Sequence, residues 1–433
     1  MPVFLRQDQP DFEARFAALL SMKRESAPDV DATVAEIIAE VRDRGDAALI
    51  AYTSRFDRLE LTSETLAFSE AEIDAACAAV PADQRAALEL AAERIRAYHD
   101  RQIPEDARWT DAAGVELGWR WTAVDSAGLY VPGGLASYPS SVLMNAIPAA
   151  VAGVERLAMC APTPEGKANP LVLLAARLAG VETIYRIGGA QAVAAMAYGT
   201  ETVEAVDKIT GPGNAWVAAA KRRVFGQVGI DSIAGPSEIL VIADATADPD
   251  FVAVDLMSQA EHDPAAQAIL VTDDAAFGED CGRAVERLLQ RLARTEIAAA
   301  SWRDNGAIVV ADDLEQGCDL ANRVAPEHLE LSVADPDELL PLIRHAGAIF
   351  MGHRTPEAIG DYVGGPNHVL PTSRAARYAS GLSVLDYMKR TTLLKASARG
   401  LEAIGPAAET LANAESLEAH GLSVRARLDR RIG

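Results

Sequence analysis

The sequence contains few cysteines, far more acidic than basic residues, and no long hydrophobic run. Its four cysteines, at positions 77, 160, 281 and 318, lie far apart and form no CxxC pair. A disulfide framework and a thiolate zinc site are therefore both disfavoured. The pattern is typical of a protein in a reducing compartment, and we expect a cytoplasmic location.

The acidic excess argues against two classes of partner. The chain has 40 Lys and Arg residues against 63 Asp and Glu residues, which gives a net charge of −23. Nucleic acid and anionic membranes both require a basic surface, so we expect neither as a partner. The simplest interpretation of the negative net charge is that it keeps the protein soluble. No window holds the roughly 18–20 apolar residues of a membrane span. The N-terminus becomes charged at once and lacks the apolar core of a signal peptide.

Apolar patterning predicts an α/β protein of at least two domains, since 433 residues exceed what one hydrophobic core usually organises. Residues 11–53 and 70–99 have helical patterns. From about residue 124, short apolar runs such as "AGLYV", "TIYRIGG" and "EILVIAD" alternate with Ala-rich helical stretches. This alternation indicates parallel sheets with crossover helices. The last fifty residues have a helical pattern again, and segment 243–250 is a candidate domain junction.

Three glycine-rich turns follow predicted strands and are candidates for nucleotide binding, although no GxGxxG motif occurs. They are Pro132-Gly133-Gly134 after Tyr130, Gly188-Gly189 before Gln191, and Gly211-Pro212-Gly213 before Asn214. Each leads into a helix, whose N-terminal N–H groups and dipole favour an anion. Ligands of open α/β sheets lie at the carboxyl ends of the strands, where these turns are expected. The alternative is an ordinary strand-to-helix connection, in which glycine is common.

The segment "SQAEHDPAAQ", residues 258–267, is a candidate half of a metal site. Asp248-Pro249 is typical of a helix start, and Pro264 forces that helix to end. Gln259 and His262 would then share one face of the last turn and could hold one ion. The alternative is that His262 only complements the negative helix end, and a glutamine ligand is unusual for zinc.

Glu327 and His328 in "NRVAPEHLELSV" are candidate proton acceptors. Pro326 stands where a helix would start, and the partly positive helix N-terminus would favour an ionised glutamate and a neutral imidazole. Both groups would then accept protons near neutral pH. The alternative is an exposed charged turn.

Two further segments offer metal ligands. "GDYVGGPNHVLPT", residues 360–372, has too many glycines and prolines for regular structure, and such loops often carry function through side chains like Asp361 and His368. In "NAESLEAHGLSV", Gly421 predicts a helix end, with His420 in the last turn and Glu415 exposed. A histidine there can simply complement the helix dipole.

None of these segments contains a cysteine, which disfavours aldehyde oxidation through a thiohemiacetal. Cys160, at the end of a predicted strand, is the remaining candidate for such chemistry. It is more simply a buried structural thiol.

Together and in this order, the segments resemble the histidinol dehydrogenase family. The matching stretches are "YVPGG…YPSSVLMNAIPA", "IGGAQA", "GPGNAWVAAAK", "AGPSEILVIAD", "AEHDP", "NRVAPEHLEL" and "GPNHVLPT". The resemblance runs from the N-terminal helices to the last helix, and the joint match is far more specific than any single motif. It favours the ligand interpretation of Gln259, His262 and His420 over the structural one.

The resemblance implies a role for each candidate residue. The implied zinc ligands, for one Zn²⁺ per subunit, are Gln259, His262, Asp361 and His420. The implied catalytic pair is Glu327 and His328. The implied substrate contacts are Ser237, Glu415, the four ligands and the catalytic pair, and the implied NAD contacts are Tyr130, Gln191 and Asn214. His368 is a candidate wall of the site. His420 is implied to reach the partner's site in an intertwined homodimer.

The implied fold has two open parallel-sheet Rossmann-like domains that lack GxGxxG, plus helical N-terminal and C-terminal segments. The expected parts are an arm over 1–22, a main domain over 23–129 and 238–382 with zinc and the catalytic pair, an NAD-contacting domain over 130–237, and a tail over 383–433 that reaches the partner subunit.

The implied reaction is the oxidation of L-histidinol to L-histidine through histidinal, with two NAD and one water. A dehydrogenase of the same family that acts on another polar alcohol, such as a sulfonated diol, is a competing hypothesis. Glu415 and His420 argue against it, because they fit the recognition of the histidinol end of the substrate. A zinc hydrolase that uses Glu327 to activate water is a second competing hypothesis, and a catalytically inactive binder is a third.

Overall fold

The structure is a computed structural model that describes residues 2–22, 28–132, 138–233 and 235–428. Gly133 and Gly134 of the first predicted turn lie outside the described residues. The chain divides into two compact units, Met1–Gln102 with Asp125–Tyr387, and Ile103–Val124 with Met388–Gly433. The first unit contains both parallel sheets, and the finer domain edges given above stay a prediction.

The described residues form helices in both units. The α-helices are α1 Phe12–Leu20, α2 Pro28–Arg44, α3 Asp46–Asp57, α4 Glu70–Ala79, α5 Ala82–His99, α6 Pro139–Ala152, α7 Pro170–Ala179, α8 Gly189–Tyr198, α9 Ala215–Val224, α10 Pro249–Ala260, α11 Ala275–Leu289, α12 Thr295–Asn305, α13 Leu314–Val324, α14 Pro336–Leu339, α15 Glu357–Tyr362, α16 Ala398–Ala414 and α17 Glu418–Arg427.

The strands of the described residues belong to three sheets. They are β1 Val3–Arg6, β2 Ala107–Thr110, β3 Val115–Ala123, β4 Ser126–Tyr130, β5 Arg156–Cys160, β6 Thr183–Tyr185, β7 Lys208–Thr210, β8 Gly229–Ile230, β9 Glu238–Ala243, β10 Gln267–Thr272, β11 Ala307–Val310, β12 His328–Ser332, β13 Ala348–Met351 and β14 Met388–Ala396.

The first unit has two parallel sheets, which confirms the predicted α/β class. Six strands are ordered β1-β11-β10-β9-β12-β13, and five are ordered β6-β5-β4-β7-β8. All pairs in both sheets are parallel. In β9, Leu240 and Ile242 pack with α1 and α13, whereas Ile239 and Val241 pack with α10, α11 and α12. Alternate side chains thus enter opposite cores, as expected for a sheet covered by helices on both faces.

The helix starts follow local capping chemistry. The Asp248 side chain accepts the main-chain N–H of Asp250 at the start of α10, and Pro249 occupies the first helical position. This confirms the predicted start of that helix. Segment 243–250 connects β9 to α10 inside the first unit, so the predicted domain junction there is wrong.

Sequence reasoning missed the terminal strands. The N-terminal residues Val3–Arg6 join the six-stranded sheet beside β11, although the segment was expected to be a helical arm. The second unit holds the antiparallel sheet β14-β3-β2, whose strand β14 lies where a helical tail was expected. Sheet pairing over the whole of Met388–Ala396 outweighs the weak local preference of this polar segment.

Among the described residues, no helix combines the length and the apolarity that crossing a membrane requires.

Gly211, directly after β7, provides a stability test of the packing between β4 and β7. Its φ is +120°, and a Cβ there would collide with the main-chain oxygen of Tyr130. Gly153 has a φ of +86° with open space around it, so Gly153→Ala carries backbone strain without a clash. We expect Gly211→Ala to lower the free energy of unfolding by about 1–3 kcal/mol more than Gly153→Ala does, measured by urea denaturation. Equal losses would contradict the close approach of the two strands.

Candidate active site and metal centre

Three elements of the first unit bring the candidate catalytic and metal-binding groups together. Gln259 lies in the last turn of α10, His328 is the first residue of β12, and α15 carries Asp361. Since His328 pairs in register with Ile239 of β9, it lies at the amino-terminal edge of the six-stranded sheet. The site is therefore at the edge opposite to the one where open α/β sheets usually bind ligands.

The helix expected at Pro326 does not form. Helix α13 ends at Val324, Ala325 takes a left-handed φ of +50°, and β12 begins at His328. The segment pairs with β9 on one side and β13 on the other, and this sheet pairing overrides the proline signal. The helix-dipole argument for Glu327 and His328 is therefore wrong, and burial sets their protonation instead.

Three other candidates differ in local structure from the expectation. Asp361 lies in the short helix α15, and the irregular loop starts only after Tyr362. His262 lies just beyond the end of α10, with its main-chain N–H bonded to the oxygen of Gln259, and its side chain is exposed. His420 lies in the first turn of α17, not the last, because the helix continues through Gly421.

His328 is the centre of the cluster. Its Nδ1 lies 3.0 Å from the main-chain oxygen of Glu238 and 3.0 Å from Nε2 of Gln259. Its Nε2 lies 3.7 Å from Oε1 of Glu357 and 3.9 Å from Oδ1 of Asp361. Burial lowers the pKa of His328 to about 3, so the ring is neutral.

Glu327 adjoins His328 on the side of Glu238. Its Oε2 accepts the main-chain N–H of Glu238 at 2.9 Å and lies 3.7 Å from Nδ1 of His328. The side chain is buried, and this burial raises the pKa of Glu327 well above its ordinary value. A carboxylate with a raised pKa is a stronger base, as a water-activating group requires.

The cluster fits a divalent cation. Oε1 of Gln259, Nε2 of His328 and Oε1 of Glu357 are buried and have no hydrogen-bond partner among the described residues. Ligand atoms of His328, Glu357 and Asp361 all lie within 4.8 Å of one another. Imidazole, carboxylate and amide oxygen are donors that a zinc ion accepts. Buried acids packed this closely repel each other, and burial raises the pKa of Glu357 to about 8 and of Asp361 to about 6. A bound cation would relieve that repulsion.

Glu357 was not found from the sequence. It stands one helical turn before Asp361, and its main-chain N–H donates to Oε1 of Glu330 at 2.7 Å. Its Oε2 accepts the hydroxyl of Ser258 at 3.2 Å. The four-residue spacing between two acids was the available signal, but it was hidden because residues 360–372, which contain Asp361, were expected to be irregular.

A cavity of about 760 Å³ borders the cluster. His328 and Asp361 line it together with apolar side chains such as Phe350 and Ile359. His368, the candidate wall, contacts Asp361 through Nδ1 at 3.6 Å and lies 3.4 Å from the hydroxyl of Ser141 on α6. The cluster therefore adjoins a space of the size that small-molecule sites have.

The predicted NAD contacts lie at the carboxyl edge of the five-stranded sheet. The hydroxyl of Tyr130, the last residue of β4, accepts the main-chain N–H of Gly189 at 3.0 Å. Gln191 is buried in the first turn of α8, whereas Asn214 is exposed and caps α9. Because burial raises the pKa of Tyr130 to about 12, its hydroxyl stays protonated and can donate.

The remaining substrate candidates divide between the units. Ser237 directly precedes Glu238, and its main-chain oxygen accepts the N–H of Gln267. Glu415 and His420 belong to the second unit, where both side chains are exposed. The structure of the first unit therefore brings together Gln259, Glu327, His328 and Asp361 of the predicted set.

Comparisons with known proteins agree on one family. A profile of the family described as "Histidinol dehydrogenase" matches residues 20–428. Histidinol dehydrogenase of Cereibacter sphaeroides is 72% identical over 430 residues, which cover 99% of each chain. That of Ruegeria pomeroyi is 67% identical over 433 residues, the full length of both chains.

A solved structure agrees as well. The crystal structure of histidinol dehydrogenase from Elizabethkingia anophelis has 38% identity and a TM-score of 0.94, and the match covers 99% of this chain and 98% of that one. On the family match, the full-length relatives and this shared fold, the chain belongs to the histidinol dehydrogenase family.

Proposed function

We propose that this chain oxidises L-histidinol to L-histidine through histidinal, with two NAD and one water consumed, in the last step of histidine biosynthesis. The observation that carries the proposal is the buried cluster in which His328 lies beside Glu327 and the acids of α15, in a chain of this family. A double oxidation needs one base for the alcohol proton and one for water. The family uses NAD and zinc.

Gln259, His262, Asp361 and a partner-derived His420 are the residues that would hold zinc. The unpartnered Oε1 of Gln259 and the close approach of Asp361 to His328 support this set. When bound, zinc would supply a Lewis-acidic anchor for the imidazole and amine of histidinol. Glu357, one turn before Asp361, would orient that carboxylate or join the ligand set.

His328 would accept the alcohol proton at Nε2. In the tautomer whose Nδ1–H donates to the main-chain oxygen of Glu238, 3.0 Å away, Nε2 is the nitrogen with a free lone pair. The lowered pKa means that His328 does not keep a proton for long. The carboxyl group of Glu357 lies 3.7 Å from Nε2 and would receive the proton next.

Glu327 would deprotonate the water that attacks the aldehyde. Its hydrogen bond from the N–H of Glu238 holds the carboxylate in place, and burial makes it a stronger base. Glu327 would thus take the place of the catalytic cysteine that oxidation through a thiohemiacetal requires. Cys160 is fully buried, and burial raises its pKa, so it is a poor nucleophile.

Tyr130, Gln191 and Asn214 would contact NAD, which accepts a hydride in each oxidation. The carboxyl ends of β4, β5 and β6 coincide in register, with Tyr130 opposite Cys160 and Cys160 opposite Tyr185. The turns that follow these strands therefore share one edge, and the start of α9 lies beside it after β7. Helix N-termini at such an edge favour a pyrophosphate.

The chain would act as an intertwined homodimer in which Glu415 and His420 complete the partner's site. The second unit exposes large apolar side chains that a monomer would leave in water, among them Leu394 at 70% and Leu411 at 64% exposure. Exposed apolar surface of this kind is typical of an interaction site. A site closed by a second subunit would also retain histidinal between the two oxidations.

Steady-state rates with different alcohols test the proposed activity. We expect NAD reduction to be fastest with histidinol, with two NADH formed per histidine and loss of the reaction after zinc chelation. A much faster reaction with a sulfonated diol would assign the chain another substrate. A chain that hydrolyses esters or amides and never reduces NAD would instead be a zinc hydrolase.

Asp361→Asn tests the metal site without an activity assay. We expect zinc affinity to fall about 100-fold or more, because loss of even a supporting partner typically costs 10–100-fold. The matched control is Asp337→Asn, an exposed carboxylate after β12. Zinc content after dialysis against a graded chelator, with circular dichroism as the check of folding, provides the measurement. Equal retention in both variants would remove Asp361 from the ligand set.

Glu327→Gln is expected to slow the aldehyde step about 100-fold or more and the alcohol step much less. His328→Asn should show the opposite pattern, because it removes the acceptor of the alcohol proton. Single-turnover NAD reduction with histidinol and with histidinal separates the two steps. Equal losses on both substrates for Glu327→Gln would contradict its role in activating water.

Hybrid dimers test whether His420 acts across the subunit interface. His420→Asn alone should lower zinc content without unfolding the chain. When the His420→Asn and His328→Asn variants are refolded together, half of the dimers are hybrids, and each hybrid has one complete site. The activity of the mixture should therefore return to about a quarter of the wild-type value. Two folded, inactive variants that stay inactive on mixing would place His420 in its own chain's site.

A further inference from the structure

A buried ion pair lies beneath the glycine turn that precedes α9. Lys221 on α9 and Asp231 after β8 pair through Nζ and Oδ1, and their side chains are only 3% and 4% exposed. Burying two charges costs several kcal/mol per ion before any attraction is counted, so such a pair is weak support for stability alone. Its contacts point to a second role.

Both members of the pair bind the main chain of the same residue, Gly211, one on each side of its Cα. Oδ2 of Asp231 accepts the main-chain N–H of Gly211 at 2.8 Å. Nζ of Lys221 donates to the main-chain oxygen of Gly211 at 3.1 Å. The two hydrogen bonds hold Gly211 in a backbone conformation with a φ of +120°, packed against the main chain of Tyr130.

The fixed Gly211 sets the direction in which the chain enters α9. Pro212 and Gly213 follow, and Asn214 then caps the helix by accepting the N–H groups of Trp216 and Val217 at 3.1 and 3.3 Å. Because the side-chain oxygen of Asn214 is committed to the cap, its amide NH₂ remains the part that can face a ligand. A shift of Gly211 would displace this amide and would also disturb the main chain of Tyr130 against which Gly211 packs.

We propose that Lys221 and Asp231 are positioning residues for NAD, which fix the Gly211–Asn214 turn in the orientation that binds the dinucleotide. This inference rests on the proposed function and on the NAD contacts assigned there. Neither side chain touches the cofactor. Both act through the main chain of Gly211, and the pair carries no net charge, so its contribution is geometric.

Steady-state kinetics at saturating histidinol test the proposal. Asp231→Asn keeps the shape of the side chain but removes its charge, and we expect the KM for NAD to rise about tenfold, since hydrogen bonds to charged groups contribute at that level. The kcat, the KM for histidinol and the zinc content should change by less than about twofold. The matched control is Asp46→Asn, another buried aspartate, which accepts the hydroxyls of Thr200 and Thr202 beyond the far end of α8.

The double variant Lys221→Met/Asp231→Leu separates positioning from folding. Apolar replacement of a buried ion pair often restores stability, but it cannot bind the N–H and the oxygen of Gly211. A KM for NAD that stays raised in a stable double variant supports the proposal, also where the single variant does not fold. A wild-type KM in the double variant, or an equal rise in Asp46→Asn, would overturn it. A wild-type chain that does not reduce NAD with histidinol would instead overturn the proposed function itself.

Discussion

The rest of the site depends on one constraint: several polar atoms are buried away from water and have no hydrogen-bond partner among the described residues. Among the described residues, Gln259, His328 and Glu357 each bury an atom that has no hydrogen-bond partner. Each such atom costs about 1–3 kcal/mol, and more when it is charged. Coordination of Gln259 to a cation would turn its share of this cost into binding energy, and the cation would also stabilise the ionised form of Asp361 against the burial that raises its pKa. Binding of a cation would explain the convergence of α10, β12 and α15.

The predicted site residues lie at opposite edges of the two parallel sheets of the first unit. The predicted NAD turns follow the carboxyl ends of strands such as β4 and β7, whereas His328 and Glu238 start their strands. The loop after α15 connects these regions. Asn367 donates to the main-chain oxygen of Met144 on α6, and the next residue, His368, contacts Asp361. In the proposed function, proton transfer and cofactor binding would therefore be carried by different sheets.

Much of the scaffold could be predicted from the sequence because its signals are local. The Asp248-Pro249 start of α10 and the glycine turns before α8 and α9 follow from capping and from left-handed backbone positions. The site was predicted less well, because its geometry depends on distant pairing. His328 is in a strand only because β9 and β13 flank it, and Glu357 becomes a candidate ligand only once α15 brings it within reach of His328. The homodimer and the roles of Glu415 and His420 came from resemblance and stay predictions.

X-ray absorption spectroscopy of the zinc-loaded protein, combined with anomalous diffraction at the zinc edge, tests the central claim most directly. The account predicts one zinc per chain beside His328, bound by nitrogen and oxygen donors at about 2.0–2.2 Å that include Gln259 and Asp361. Zinc bound through cysteine sulfur, or a metal position outside the cluster with Gln259 and Asp361 still unligated, would contradict it.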